Sequence, residues 1–106
     1  MSTAKPLSGI RVVELGQLLA GPFTGAILGY FGAEVIKIEP PGGDPLRQWR
    51  EVHNGTSFWY RSLGRNKKSV VLDLKTEKGR DATRRLLKTA DVVIAVSYTH
   101  LTLPTT

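Results

Sequence analysis

The chain has 106 residues, 41% of them apolar, and no cysteine, so it can build one modest core but neither disulfides nor thiolate metal sites. It contains no run of 18 apolar residues and opens on no charged-then-apolar leader; neither a membrane span nor a signal peptide is expected, and a cytoplasmic location is. The net charge of +6 is uneven, −1 over residues 1–44 and +7 over 45–106, which favours an anionic partner such as a phosphate-bearing cofactor or a nucleic acid.

After a lead-in over residues 1–8, Ile10 to Leu15 is β-branched and apolar and predicts a strand buried on at least one face. Gly16-Gln17-Leu18-Leu19-Ala20-Gly21-Pro22 interrupts it, and Pro22 suits the first turn of a helix, where a missing N–H costs nothing. Phe23 to Phe31 reads as that helix, ended by Gly32 in the left-handed conformation. Ala33 to Ile38 returns as a strand closing on Glu39. A strand, helix and strand in about 30 residues make a βαβ unit, whose parallel strands bind ligands at their carboxyl ends. The turn from Gly16 to Pro22 is therefore the first candidate site. Gly25, Gly29 and Gly32 cost the helix about 2–3 kcal/mol relative to alanine, which close packing or a ligand must offset. Packing is expected at Gly25 and Gly29, a ligand role at Gly21.

Beyond the Pro40-Pro41-Gly42-Gly43 loop the chain is polar and reads as irregular to Asn54, with Trp49 as its large anchor. Ser57 to Leu63 predicts a short helix started by Thr56 or Ser57. Arg65 to Ser69 follows as a basic turn, and Val70 to Leu74 as a third strand ending on Lys75. Thr76 is the expected N-cap of a helix from Glu77 to about Thr89, with Ala82, Leu86 and Leu87 on its apolar face. Asp91 to Ile94 opens a fourth strand. This alternation predicts an α/β fold with a Rossmann-like parallel sheet.

The motifs narrow the chemistry. The dinucleotide fingerprint G-x-G-x-x-G is absent, and the Gly16–Gly21 spacing of a P-loop is followed by Pro22 and Phe23 instead of Lys and Ser/Thr. What remains is a turn whose amides and helix N-terminus can face an anion or an adenine-bearing ligand. Glu39 fits a ribose-binding acid and equally a surface acid before a loop. Arg65 to Lys75 could line the same crevice as the first turn, with Lys75 meeting a phosphate. Phe58, Trp59 and Tyr60 permit base stacking in a nucleic-acid module, although core packing under a loop is favoured. His53 and His100 lie far apart without carboxylates at ligand spacing, so no metal site is expected. No catalytic triad or paired carboxylate stands out.

Four blocks nevertheless resemble a known family. Pro6 to Leu15, Ala20-Gly21-Pro22-Phe23 and Gly32 to Gly42 resemble the start of class III CoA-transferases, and Arg65 to Lys75 with Gly79 resembles that family's next block. The resemblance covers Pro6 to Ile94. It implies the N-terminal part of a larger CoA-transferase domain, from a chain several times longer that forms an interlocked homodimer. CoA and acyl-CoA would be substrates with no permanently bound cofactor, a small carboxylic acid the acceptor, and neither nucleic acid nor membrane a partner.

Carried over by position, Leu19 and Ala20 would contact CoA largely through backbone. Leu72, Asp73, Leu74 and Lys75 would border its adenine and phosphate end, and Pro40 occupies a place where some members have a CoA-binding arginine. Family chemistry runs through an aspartate that attacks the acyl-CoA thioester and then carries CoA as an aspartyl thioester. None of Asp44, Asp73, Asp81 or Asp91 matches it, so no catalytic residue is assigned and the chain by itself is expected to be inactive. The related α-methylacyl-CoA racemases share the first turn, but the stretch from Asn54 to Tyr60 resembles the transferases more closely. After Ile94 the family usually continues Glu-Asn-Phe/Tyr, where this chain has Ala95-Val96-Ser97. The threonine-rich stretch to Thr106 has no period and no cap, and residues 96–106 read as a non-native tail on a half-domain at 1–95 of marginal stability.

Overall fold

Val12 and Val13 point to opposite sides of one strand and both are fully buried, so that strand must be covered on both faces. The computed structural model, which describes residues 4–17 and 19–96, shows how. In chain order the elements are β1 (Arg11–Glu14), α1 (Ala20–Tyr30), β2 (Glu34–Glu39), a 3-10 turn (Pro45–Gln48), β3 (Val52–His53), β4 (Thr56–Ser57), α2 (Phe58–Leu63), β5 (Lys67–Val71), α3 (Glu77–Leu87) and β6 (Val92–Ile94). Four of the strands form a wholly parallel sheet in the order β5-β2-β1-β6; β3 and β4 pair as a small antiparallel hairpin. Counting parallel strands only, that order is third, second, first, fourth, as in doubly wound folds.

The two faces carry different cores. Val12, Val35 and Ile94 pack under α1 through Leu28, while Val13, Leu15 and Ile38 pack against Leu72, Leu74, Leu86 and Leu87 on the α3 side. Thr76 caps α3 by accepting from the Gly79 amide, and Ser57 caps α2 by accepting from the Trp59 amide, both as the sequence predicts. Gly32 takes the expected left-handed conformation at φ +107° behind α1. Among the described residues no helix is long and apolar enough to cross a membrane.

Several expectations are corrected. Lys67, Lys68 and Ser69 are not a basic turn but the body of β5, which therefore ends at Val71 and leaves Leu72, Asp73 and Leu74 beyond the strand. The strand forms without apolar alternation: Lys67 and Ser69 stand on one side of it, Ser69 bonding to Glu39 on the adjacent β2 and Lys67 reaching past β2 to Glu14 on β1. The stretch before Asn54 is not irregular throughout: Asp44 caps the 3-10 turn by accepting from the Leu46 amide, and β3 begins at Val52. Helix α1 begins three residues early, at Ala20, with Leu19 as its N-cap. The buried face of α3 centres on Gly79 and Thr83; Ala82 is half-buried. Phe58 (52% exposed) and Trp59 (42%) do not enter the core, because they sit on a two-turn helix over the hairpin and pack against His53 and Trp49 instead. The tail predicted at 96–106 lies outside the described residues from Ser97 on.

Candidate functional site

All four parallel strands end at one rim, and there the order β2-β1-β6 makes a switch point: the chain leaves β1 toward β2 through α1, while β6 arrives from α3 on the other face. The turn after β1 stands at that crevice. Gly16 and Gly21 cross in backbone contact: a Cβ on Gly16 would lie 2.7 Å from the Gly21 Cα, and one on Gly21 2.6 Å from the Gly16 Cα. Neither has a positive φ, so close approach, not conformational freedom, requires glycine at both positions. Packing by itself thus requires glycine at 21, beside the ligand role expected there. Gly21→Ala is expected to force the turn open at a cost of about 1–3 kcal/mol, seen as a lower urea midpoint with unchanged slope. Val96, just beyond β6, lies beside Gly16 at the same switch point.

Beneath the turn, on the α1 side of the sheet, lies a cluster of charges that the sequence reading missed. Glu14, Lys37, Glu39, Lys67 and Ser69 occupy that face by strand alternation and register. Lys37 Nζ lies 2.7 Å from Glu14 Oε2, 2.8 Å from Asp44 Oδ2 and 3.2 Å from the Gly16 carbonyl oxygen, to which it donates. Lys67 Nζ lies 2.7 Å from Glu14 Oε1 and donates to the Pro22 carbonyl at 2.8 Å. The side chains of Glu14, Lys37, Asp44 and Lys67 are at most 3% exposed. A Cβ at Gly25 would overlap the Glu14 carboxylate, which is why α1 is bare there. Burial alone would lower the Lys37 ammonium, but Glu14 and Asp44 outweigh it and hold it above its usual value. Burial wins at Lys67, which has the single carboxylate Glu14 in contact and is pushed down.

Glu39 forms the second half of the cluster. It accepts from Arg47 Nε (2.8 Å) and a terminal guanidinium nitrogen (2.7 Å), from the Asp44 amide (2.8 Å) and from the Ser69 hydroxyl, with the Tyr60 hydroxyl 3.4 Å away. Arg47 also stacks over the Tyr60 ring at 4.0 Å. Glu39 is 1% exposed, so it is neither a surface acid nor open to a ribose. Burial would raise its carboxyl, yet the hydrogen bonds from Arg47, Asp44 and Ser69 hold it at about 2. The signal for this cluster was legible: charges inside apolar runs at alternating strand positions must be paired if the sheet is covered.

The residues expected to meet CoA lie along the rim. Leu19 is 37% exposed at the start of α1 and makes no side-chain cap hydrogen bond; Ala20 is exposed beside it. Pro40 follows β2, half-buried, and its carbonyl accepts from the Gly43 amide in a tight turn. Leu72, Asp73 and Leu74 are half-buried and Lys75 is exposed. They form a bend held by Asp73, whose carbonyl accepts from the Thr76 amide and hydroxyl and whose carboxylate accepts from the Lys75 amide. The first turn leads into α1 and the Leu72–Lys75 bend into α3, on opposite faces of the sheet. A ligand touching both must therefore cross the rim, and no pocket on one face can join them.

The four described aspartates all have local tasks. Asp44 pairs with Lys37, Asp73 holds the bend, Asp81 pairs with Arg85 at 3.2 Å, and Asp91 accepts from the Arg11 amide at 2.9 Å.

Residues 7–99 match the family model described as CoA-transferase family III. The chain is 51% identical over 92 residues to a succinyl-CoA–D-citramalate CoA-transferase of Chloroflexus aurantiacus, covering 85% of this chain and 23% of that one. It is 48% identical over 97 residues to a succinate–glutarate CoA-transferase of Agrobacterium fabrum, covering 84% and 24%. A CAIB/BAIF family protein from Brucella suis superposes with a TM-score of 0.81 at 42% identity, covering 88% of this chain and 26% of that chain. The chain thus spans about a quarter of the length of these relatives.

Proposed function

Because the chain belongs to CoA-transferase family III, we propose that it is the coenzyme-binding part of an enzyme that moves CoA from an acyl-CoA donor to a small carboxylic acid. The match over residues 7–99 carries this reading. CoA lies across the carboxyl rim as a substrate, not a resident cofactor. Leu19 and Ala20 meet it through their backbone at the switch point. Pro40 stands between them and Leu72, Asp73, Leu74 and Lys75, which border the adenine and phosphate end, with the Lys75 ammonium facing phosphate. The resemblance implies an aspartate nucleophile, and because none of Asp44, Asp73, Asp81 or Asp91 matches it by position, this reading places it outside these 106 residues. It attacks the thioester carbonyl and expels the CoA thiolate, which then displaces the acyl group as a free acid and leaves an aspartyl-CoA thioester. The complete enzyme works in the cytoplasm as an interlocked homodimer.

Calorimetric titration with CoA and with a single-stranded oligonucleotide, each at two salt concentrations, tests this. Saturable CoA binding that Lys75→Glu weakens about tenfold is expected. Oligonucleotide binding that falls steeply with salt, with no uptake of CoA, would replace this reading with a basic nucleic-acid module.

A further inference from the structure

Glu14 bridges two ammonium groups, of which one grips the start of the turn proposed to meet CoA and the other the first turn of the helix that follows it. Lys37 donates to the carbonyl of Gly16, where the turn begins, and Lys67 to the carbonyl of Pro22, in the first turn of α1. The two lysines come from different strands, β2 and β5, so the clamp ties the turn to two strands besides its own. We infer that Lys37 and Lys67, joined through Glu14, are positioning residues that set the shape of the Gly16–Pro22 turn for its ligand.

None of the three can touch a ligand directly, because their side chains are at most 3% exposed under the turn and α1. They act through the backbone. With the Gly16 carbonyl turned in toward Lys37, the trans peptide bond directs the next amide the other way. Gly25 supports the same arrangement, since any side chain there would occupy the space of the Glu14 carboxylate. A cluster that served stability alone would need only to satisfy its own charges. Here Lys37 also commits a donor to the loop and Lys67 one to the helical turn that anchors the loop's far end, and Asp44 supplies Lys37 with the second carboxylate that keeps it charged.

This inference rests on the CoA reading for its ligand but not for its geometry, so two readouts separate them. Hydrogen exchange of the turn amides and CoA affinity are measured for the unaltered chain, for Lys67→Met, and for Lys68→Met, whose exposed lysine pairs with Glu34 at the surface. Lys67→Met is expected to speed exchange over residues 17–21 about tenfold more than in β1 and β2, and to weaken CoA about tenfold; Lys68→Met changes neither. Should Lys67→Met not fold, the charge-balanced pair Glu14→Gln with Lys67→Met carries the same readouts. Exchange that rises evenly over turn and strands, or does not rise, would overturn the positioning role. Absence of CoA binding in the unaltered chain would sink the CoA reading, while local loosening of the turn would still support the clamp.

Discussion

Lys37→Met is expected to destabilise the chain by about 3–5 kcal/mol, enough to leave a protein of ordinary stability close to unfolding. The substitution preserves much of the side-chain volume, so the loss is electrostatic. It leaves the Glu14 and Asp44 carboxylates buried without the ammonium that lies 2.7 and 2.8 Å from them, and Lys67 can compensate only at Glu14. Desolvated carboxylates stripped of their partner cost more than the pair contributed when intact. Urea unfolding would show the midpoint falling without a change in slope. Removing a charge of each sign, with Lys37→Met and Asp44→Asn together, should recover part of the loss while keeping an acceptor for the Leu46 amide. A change below about 1 kcal/mol in the single variant, the size usual for a surface pair such as Lys68–Glu34, would show that water reaches the cluster.

The second large effect is acid sensitivity through Glu39. Its carboxyl sits at about 2 in the folded chain against an ordinary value of 4.5, so its stabilisation is complete above pH 4.5 and is lost as pH falls toward 2. The span corresponds to about 3 kcal/mol, which the 1% exposure of the residue makes a fair measure of the interaction. Arg47, Tyr60, Ser69 and the Asp44 amide all face this carboxylate, and its protonation removes their charged acceptor. Denaturant titrations from pH 6 to pH 2.5, compared between the unaltered chain and Glu39→Gln, isolate its share. The variant should be less stable at pH 6, with a flatter acid limb. Parallel limbs would mean that other carboxylates control the acid transition.

The cluster explains why the α1 face of the sheet could not be read as a simple core. Near the amino ends of the strands that face is apolar, with Val12 and Val35 under Leu28. Toward the carboxyl rim it turns into Glu14, Lys37, Glu39 and Ser69, with the Lys67 ammonium reaching Glu14 from the start of β5 beside Val35, and the layer is covered by the glycine side of α1 and by the Asp44–Tyr60 insertion. A polar layer beneath a ligand-facing turn gives the backbone there fixed, directional contacts, which apolar packing does not supply.

The order of strands and helices, the caps at Ser57 and Thr76 and the left-handed Gly32 follow from local chemistry. A cap needs one side chain and the amides of the next few residues, and a φ as positive as the +107° at Gly32 favours glycine on backbone sterics alone. The family resemblance is likewise a property of the ordered residues, and it carries the fold with it. What the sequence did not disclose are relations between distant segments. That Gly16 and Gly21 touch, that Lys37 and Lys67 share Glu14, and that Glu39 is enclosed by Arg47 and Tyr60 depend on sheet register and on which helix covers which face. The same holds for the limit of β5. Lys67 and Ser69 look like turn residues by propensity, and they become strand because the acids that satisfy them stand on β1 and β2 of the same sheet, a condition only the assembled sheet can meet.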